Sequence, residues 1–124
     1  MELLEIYKCD VCGNVIEITH SGGGDIVCCS ESMKKLSQTL ATEENPHFAH
    51  IEKIDTGYKI KFNHPMTQAH HIEYIEAISN DKKYIKRKFL KFDEIPELEI
   101  KCNCTEGFYV RLYCNLDGVW ITKN

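Results

Sequence analysis

GFYVRLYCNLDGVWITK, residues 107–123, is the stretch whose reading decides the fold. In an extended chain Val110, Leu112 and Cys114 share one face, and Arg111 and Tyr113 take the other. Asn115 to Gly118 then reads as a tight turn, with Asp117 placed directly before a glycine. VWITK resumes the extended pattern. Period two, aromatic and β-branched residues and turn chemistry all predict strands here, with Cys114 at the end of one.

The same pattern runs upstream. AHIEKIDTGYKIKF (49–62) predicts a hairpin turning at Asp55-Thr56-Gly57, with Tyr58, Ile60 and Phe62 alternating with Lys59 and Lys61. HIEYIEAIS, KYIKRKFLKF and ELEIKC follow. Roughly seven strands at spacings of about 10 residues predict an immunoglobulin-like β-sandwich. The lysines of NDKKYIKRKFLKF (80–92) are interleaved with apolar residues and read as the solvated face of a strand. Cys102 continues the phase of Leu98 and Ile100, as a buried small hydrophobe would. Cys104 is expected as an exposed loop thiol and Trp120 as a core residue.

The first third differs. LLEIY (3–7) and VIEIT (15–19) are short strands, and SGGGD (21–25) is a turn tolerant of positive φ. SESMKKLSQTL (30–40) reads as a capped helical turn or a loose linker, extended by ATEENP (41–46), where Pro46 holds Asn45 extended. The chain thus divides into a small cysteine-bearing unit over 1–36, a linker over 37–45 and a β-sandwich over 46–124. The expected class is all-β.

Composition narrows the function classes. With 43% hydrophobic and 27% charged residues, the 124-residue chain is typical of a globular protein. A net charge of -4 without a basic stripe argues against nucleic acid. No apolar run is long enough to span a membrane, and MELLEIYKC is too acidic for a signal peptide, so a cytoplasmic protein is expected. Seven cysteines in that compartment point to metal or redox chemistry rather than a disulfide framework.

Those cysteines form two groups. CDVCGNVIEITHSGGGDIVCC (9–29) holds Cys9-x-x-Cys12 and the adjacent pair Cys28-Cys29. A CxxC turn sets two thiolates on one side of a loop, and Gly13 relieves the turn that follows. Four convergent thiolates make a tetrahedral site for zinc or a single iron. The second group joins histidines to a thiolate: NPHFAHIEK (45–53), HPMTQAHHIEYIE (64–76) and YCNLDG (113–118). Three imidazoles and Cys114 on loops flanking a sandwich can converge on one metal. Spacing alone leaves each histidine equally open to a surface or supporting role.

Both groups resemble one family. The 9–29 stretch is similar to the desulforedoxin module at the N-terminus of desulfoferrodoxin-type superoxide reductases. That resemblance implies one iron held by Cys9, Cys12, Cys28 and Cys29, and a homodimer. The histidine-rich stretches resemble the same family's catalytic domain, in which four equatorial histidines and one axial cysteine hold a five-coordinate iron. Matching HPM assigns His64. The histidine six residues on is His70 rather than His71, and the one five before Glu52 is His47 rather than His50. Cys114 takes the thiolate position. His20, His50 and His71 are left as surface or supporting residues. The implied function is one-electron reduction of superoxide to hydrogen peroxide, with two mononuclear irons as cofactors and an external donor such as a rubredoxin. Zinc is a possible substitute in the four-cysteine site. No nucleic-acid or membrane partner is expected.

Two residues depart from the family pattern. Where CNLHG is expected the chain has CNLDG, which puts Asp117 in the place of the fourth histidine. Where EKH is expected it has Asn45-Pro46-His47, so no lysine precedes His47. Both changes disfavour an anionic substrate. Asp117 is open to three readings: a ligand, a supporting residue, or the mark of an altered site. The alternative function is a non-catalytic electron carrier or redox sensor with a degenerate second site. A structural zinc protein is a third.

Overall fold

Thirteen strands and no helix make up the described residues, which are 1–102 and 107–124 of this computed structural model. The expectation for Cys104 falls outside them. The chain divides into two units, Met1–Ser37 and Gln38–Asn124.

In the first unit β1 (Ile6–Lys8) lies between β2 (Val15–Glu17) and β5 (Lys34–Lys35), antiparallel to both. A separate two-residue hairpin joins β3 (Val27–Cys28) to β4 (Glu31–Ser32). Leu4, Ile6, Ile18 and Met33, with Cys9, are the buried apolar side chains of this unit. So few cannot offset the entropy of ordering 37 residues, and a unit this small ordinarily needs a covalent or metal staple. The helical turn expected over 30–40 does not form. Strands β4 and β5 occupy that stretch, where Ser32 Oγ donates to Asp25 Oδ2 (2.7 Å) and Lys34 pairs with Asp10 (2.7 Å).

The second unit is a sandwich of two sheets. One has the order β10 (Ile85–Phe89), β9 (Ile72–Ser79), β12 (Phe108–Cys114), β13 (Gly118–Lys123), β6 (Gln38–Leu40). The other has the order β11 (Glu97–Lys101), β8 (Gly57–Lys61), β7 (His50–Ile54). All seven strands expected from the alternation are present. Strand β6 adds a parallel edge to β13 within the stretch read as a linker. The turn between β7 and β8 is Asp55-Thr56, with Ile54 opposite Gly57. A Cβ on Gly57 would lie 1.9 Å from the Ile100 carbonyl oxygen, so only glycine lets the hairpin pair with β11 there.

Ile60, Leu98 and Ile100 from one sheet meet Ile72, Ile75, Ala77, Val110, Leu112 and Cys114 from the other, with Phe62, Leu90 and Phe108 in the same core. Strict alternation would send Ile72 and Ile75 to opposite faces. A β-bulge prevents this: Tyr113 pairs with Tyr74, but Cys114 pairs with Ile72, leaving Glu73 as the extra residue. The bulge lies at the end of β12, beside Cys114.

The opposite face of the larger sheet is also buried. Glu76 sits in register with Arg111 on one side and Arg87 on the other. Glu76 Oε1 accepts from Arg111 Nε (2.8 Å), and Oε2 from Arg87 Nη2 (2.6 Å). Glu76 and Arg111 have no exposed surface, so the charges are stable there only as a network. The interleaved lysines of β10 have a job beyond solvation: Lys86 and Lys88 donate to the Glu99 and Glu97 carbonyls of β11, tying the edges of the two sheets together. Cys102 packs partly buried against the core in the phase expected, but it is disulfide-bonded rather than a free thiol.

Candidate metal centres

The four N-terminal cysteines converge. Their sulfurs lie within 4.8 Å of one another, with Cys12 Sγ 3.5 Å and Cys29 Sγ 3.9 Å from Cys28 Sγ. Two turns achieve this. Gly13, at φ +83°, turns the chain so that its N–H donates back to the Cys9 carbonyl (2.9 Å). Cys29 and Ser30 are the two turn residues of the β3–β4 hairpin, and both adopt positive φ (53° and 64°). Such turns require positive φ at both positions, and this one swings Cys29 round to join its neighbour. Adjacent cysteines can therefore face one point.

The electrostatics call for a cation. Backbone N–H groups of Cys12 first, and then of Val11, hold the Cys9 thiol down to about 7 against the opposing effect of burial. Cys28 is pushed up to about 12, chiefly by the Cys12 and Cys9 thiols beside it, with burial adding to the rise. Cys29 is raised as well, by Cys12 first. Each ionisation thus hinders the next. Four thiolates coexist at this spacing only around a positive charge.

The second cluster gathers His47, His64, His70, Cys114 and Asp117, one donor atom of each lying within 4.8 Å of all the others. The five residues come from four places at one end of the sandwich: the turn before β7, the β8–β9 loop, the end of β12 and the β12–β13 turn. His47 and His64 are 5% and 7% exposed. Each has its Nδ1 occupied: His47 Nδ1 donates to Asn45 Oδ1 (2.7 Å), and His64 Nδ1 to the Pro65 carbonyl (2.7 Å). Burial, the largest influence on each, lowers both pKa values and so favours the neutral ring. A neutral ring donating from Nδ1 carries its lone pair on Nε2. Both Nε2 atoms are buried without a hydrogen-bond partner. His47 Nε2 is 3.2 Å from Asp117 Oδ2 yet not aligned with it as a hydrogen bond.

Cys114 is fully buried, and burial first of all raises its thiol. The Asp117 N–H opposes this by donating to Sγ (3.4 Å). Burial works to raise Asp117 too, but its contact with His70 Nε2 (3.0 Å) and the nearby His47 hold its carboxyl below the usual range. Two buried lone pairs, a buried thiol and a carboxylate fit a cation that accepts nitrogen, sulfur and oxygen donors, as iron does.

Supporting residues complete the site, and the sequence pattern did not single them out for this. Asn45 Oδ1 accepts from both the backbone N–H (2.8 Å) and Nδ1 of His47, an Asx turn that fixes the ring. Asn115 accepts from the His71 N–H (2.9 Å) and donates to the Ala69 carbonyl (3.0 Å), clamping the histidine loop to the β12–β13 turn. Trp120 is a wall of the site more than a core residue. Its indole stacks on His47 (centroids 4.5 Å apart, planes 6° apart) and donates to the Asp117 carbonyl (2.9 Å). The other histidines lie apart from the cluster: His50 is exposed on β7, His20 is exposed, and His71 contacts the Thr67 carbonyl and Glu73. Lys53 lies over the Tyr58 ring.

Comparison with known proteins follows the same division. Residues 1–36 match the family model of the desulfoferrodoxin N-terminal domain, and residues 37–123 match that of desulfoferrodoxin. Desulfoferrodoxin of Desulfarculus baarsii is 40% identical over 127 residues, covering 99% of this chain and 98% of that protein. Desulfoferrodoxin of Nitratidesulfovibrio vulgaris is 43% identical over 120 residues, covering 94% of this chain and 93% of that one. Among solved structures, the superoxide reductase from Treponema pallidum shares the fold with a TM-score of 0.75 and 23% identity, covering 98% of both chains.

Proposed function

The chain belongs to the desulfoferrodoxin family, and from that premise we propose that it is a superoxide reductase, acting at an iron held by His47, His64, His70 and Cys114. The observation that carries this reading is the pair of buried, unpartnered Nε2 lone pairs of His47 and His64 in one cluster with the Cys114 sulfur. Iron bound there supplies the single electron by cycling between its ferrous and ferric states. The reaction balances as superoxide plus one electron plus two protons giving hydrogen peroxide.

The chain's own groups prepare the site. Asn45 and the Pro65 carbonyl fix the tautomers and orientations of His47 and His64, so the donor atoms need no reorganisation. The Asp117 N–H stabilises negative charge on Cys114, and that thiolate pushes electron density toward whatever it ligates. His70 and Asp117 are 30% and 42% exposed, which makes their side the route for substrate and for protons from water. Pro46, not a lysine, precedes His47, so capture of the anion relies on diffusion more than in a relative with lysine at this position.

The cluster of Cys9, Cys12, Cys28 and Cys29 holds a second iron as an accessory redox centre, and four thiolates would accept zinc in its place. With iron bound there, an external donor of the rubredoxin type would return the electron after each turnover, and the chain would work as a homodimer. The thiols of both clusters suit the reducing cytoplasm.

Mixing the ferrous protein with pulse-generated superoxide tests the reading. Superoxide should disappear faster than with an equal amount of free iron, yielding peroxide and no oxygen. A decay no faster than that of free iron would sink it.

A further inference from the structure

We infer that the Asp117 carboxylate is itself a ligand of the second metal, giving this chain a donor set of three imidazoles, one thiolate and one carboxylate. This rests on the reading above, that the cluster holds iron, and goes beyond it in naming the fifth donor.

Geometry is the first support. Asp117 Oδ2 lies 3.2 Å from His47 Nε2, 3.0 Å from His70 Nε2 and 3.6 Å from Cys114 Sγ, so one oxygen faces three donor atoms on three different elements. Chemistry is the second. His47 carries its proton on Nδ1, held by Asn45, so its Nε2 presents a lone pair to a carboxylate oxygen that has only lone pairs of its own. The two atoms approach to 3.2 Å without an aligned hydrogen bond, one of them on a ring that is 5% exposed, as two donors to one cation do.

The turn holds the carboxylate in this position. Trp120 Nε1 donates to the Asp117 carbonyl, the Asp117 N–H donates to Cys114 Sγ, and Gly118 takes φ +79° immediately after. An aspartate oxygen reaches about as far from the backbone as the Nδ1 of a histidine would, so the substitution keeps the donor in place.

The consequence is electronic. Two anionic and three neutral donors leave a ferrous site neutral and a ferric site with one positive charge. With histidine in place of Asp117, each state would carry one more positive charge. The carboxylate therefore favours ferric iron and lowers the midpoint potential. It also raises the metal orbitals that accept charge from the thiolate, so the ferric–thiolate band moves to shorter wavelength.

Ferrous titration of the full-length protein, read by iron count, ferric visible spectrum and potentiometry, tests this in Asp117→Ala, Asp117→Asn and Asp117→His beside the unmodified chain. The four-cysteine iron serves as an internal control. In the alanine variant, affinity at the second site should fall at least about tenfold, as loss of a metal-site partner does. In the histidine variant, affinity should return, with a higher midpoint potential and a band at longer wavelength, and the asparagine variant should show the same two shifts. If all three variants keep the affinity, band and potential of the unmodified protein, Asp117 only accepts a hydrogen bond from His70 and the inference is overturned, while the iron site stands. If the unmodified chain takes up iron only at the four-cysteine site, the proposed function falls together with the inference.

Discussion

The two metal clusters hold similar numbers of donor atoms but are built in opposite ways. Cys9, Cys12, Cys28 and Cys29 lie within 21 consecutive residues and are brought together by two tight turns, in a unit with only a handful of buried apolar side chains. His47, His64, His70, Cys114 and Asp117 span more than half the chain and meet at one end of a sandwich with its own continuous core. On the proposed reading, metal completes the first fold, whereas the second fold brings its donors together by its own packing. A local site thus needs little architecture but depends on its ion, whereas a dispersed site needs a rigid frame and can then be altered at one position, as it is at Asp117.

Metal removal should expose this contrast with the largest effect. Chelation is expected to unfold residues 1–37 while leaving the sandwich intact, because binding free energies of about 10–16 kcal/mol for structural zinc sites are also folding free energies. Limited proteolysis of the metal-free protein should cut the first unit and spare the second, and equal resistance of both would break the distinction. Next comes the buried network of the larger sheet. Glu76→Ala removes the buried carboxylate to which Arg111 and Arg87 both donate and should cost the sandwich about 3–5 kcal/mol in denaturant unfolding, with no change in the four-cysteine spectrum.

Smaller effects sharpen the picture of a preformed site. Asn45→Ala frees the His47 ring and should weaken iron binding at the second cluster by about 10–100-fold without altering strand content. The smallest concerns pH. His47 and His64 are held below their ordinary pKa by burial, so below about 6.5 the unfolded chain binds protons that the folded one refuses. Stability of the metal-free sandwich should therefore fall as pH drops through that value and level off once pH is below the folded pKa values. His64→Gln should flatten the slope, and an unchanged slope would mean that His64 does not titrate abnormally.

Much of this was legible in the sequence because the physics is local. Strands β7 to β13 follow from alternation and turn residues, and the four-cysteine group follows from its spacing. Other features depend on partners far along the chain. Gln38–Leu40 is exposed and has no periodic signature, so nothing in it announces a parallel edge beside β13. Strands β4 and β5, two residues each, are too short for any period to show. The bulge at Glu73 breaks the alternation that would otherwise assign faces, and Arg111 is buried against Glu76, which lies opposite it in register. Asn45, Asn115 and Trp120 resemble ordinary turn or core residues until the histidines they orient are in place. The resemblance of CNLDG to CNLHG marked Asp117 as a departure, but only the three close contacts of its carboxylate oxygen show where it points.

Superoxide decay in the fully reduced, iron-loaded protein, followed beside the Cys114→Ala variant, tests the central claim most directly. The variant keeps the four-cysteine iron and the sandwich but lacks the thiolate of the second site. The account predicts rapid, peroxide-yielding consumption by the unmodified chain and decay no faster than with free iron in the variant. Equal rates in the two proteins would contradict it.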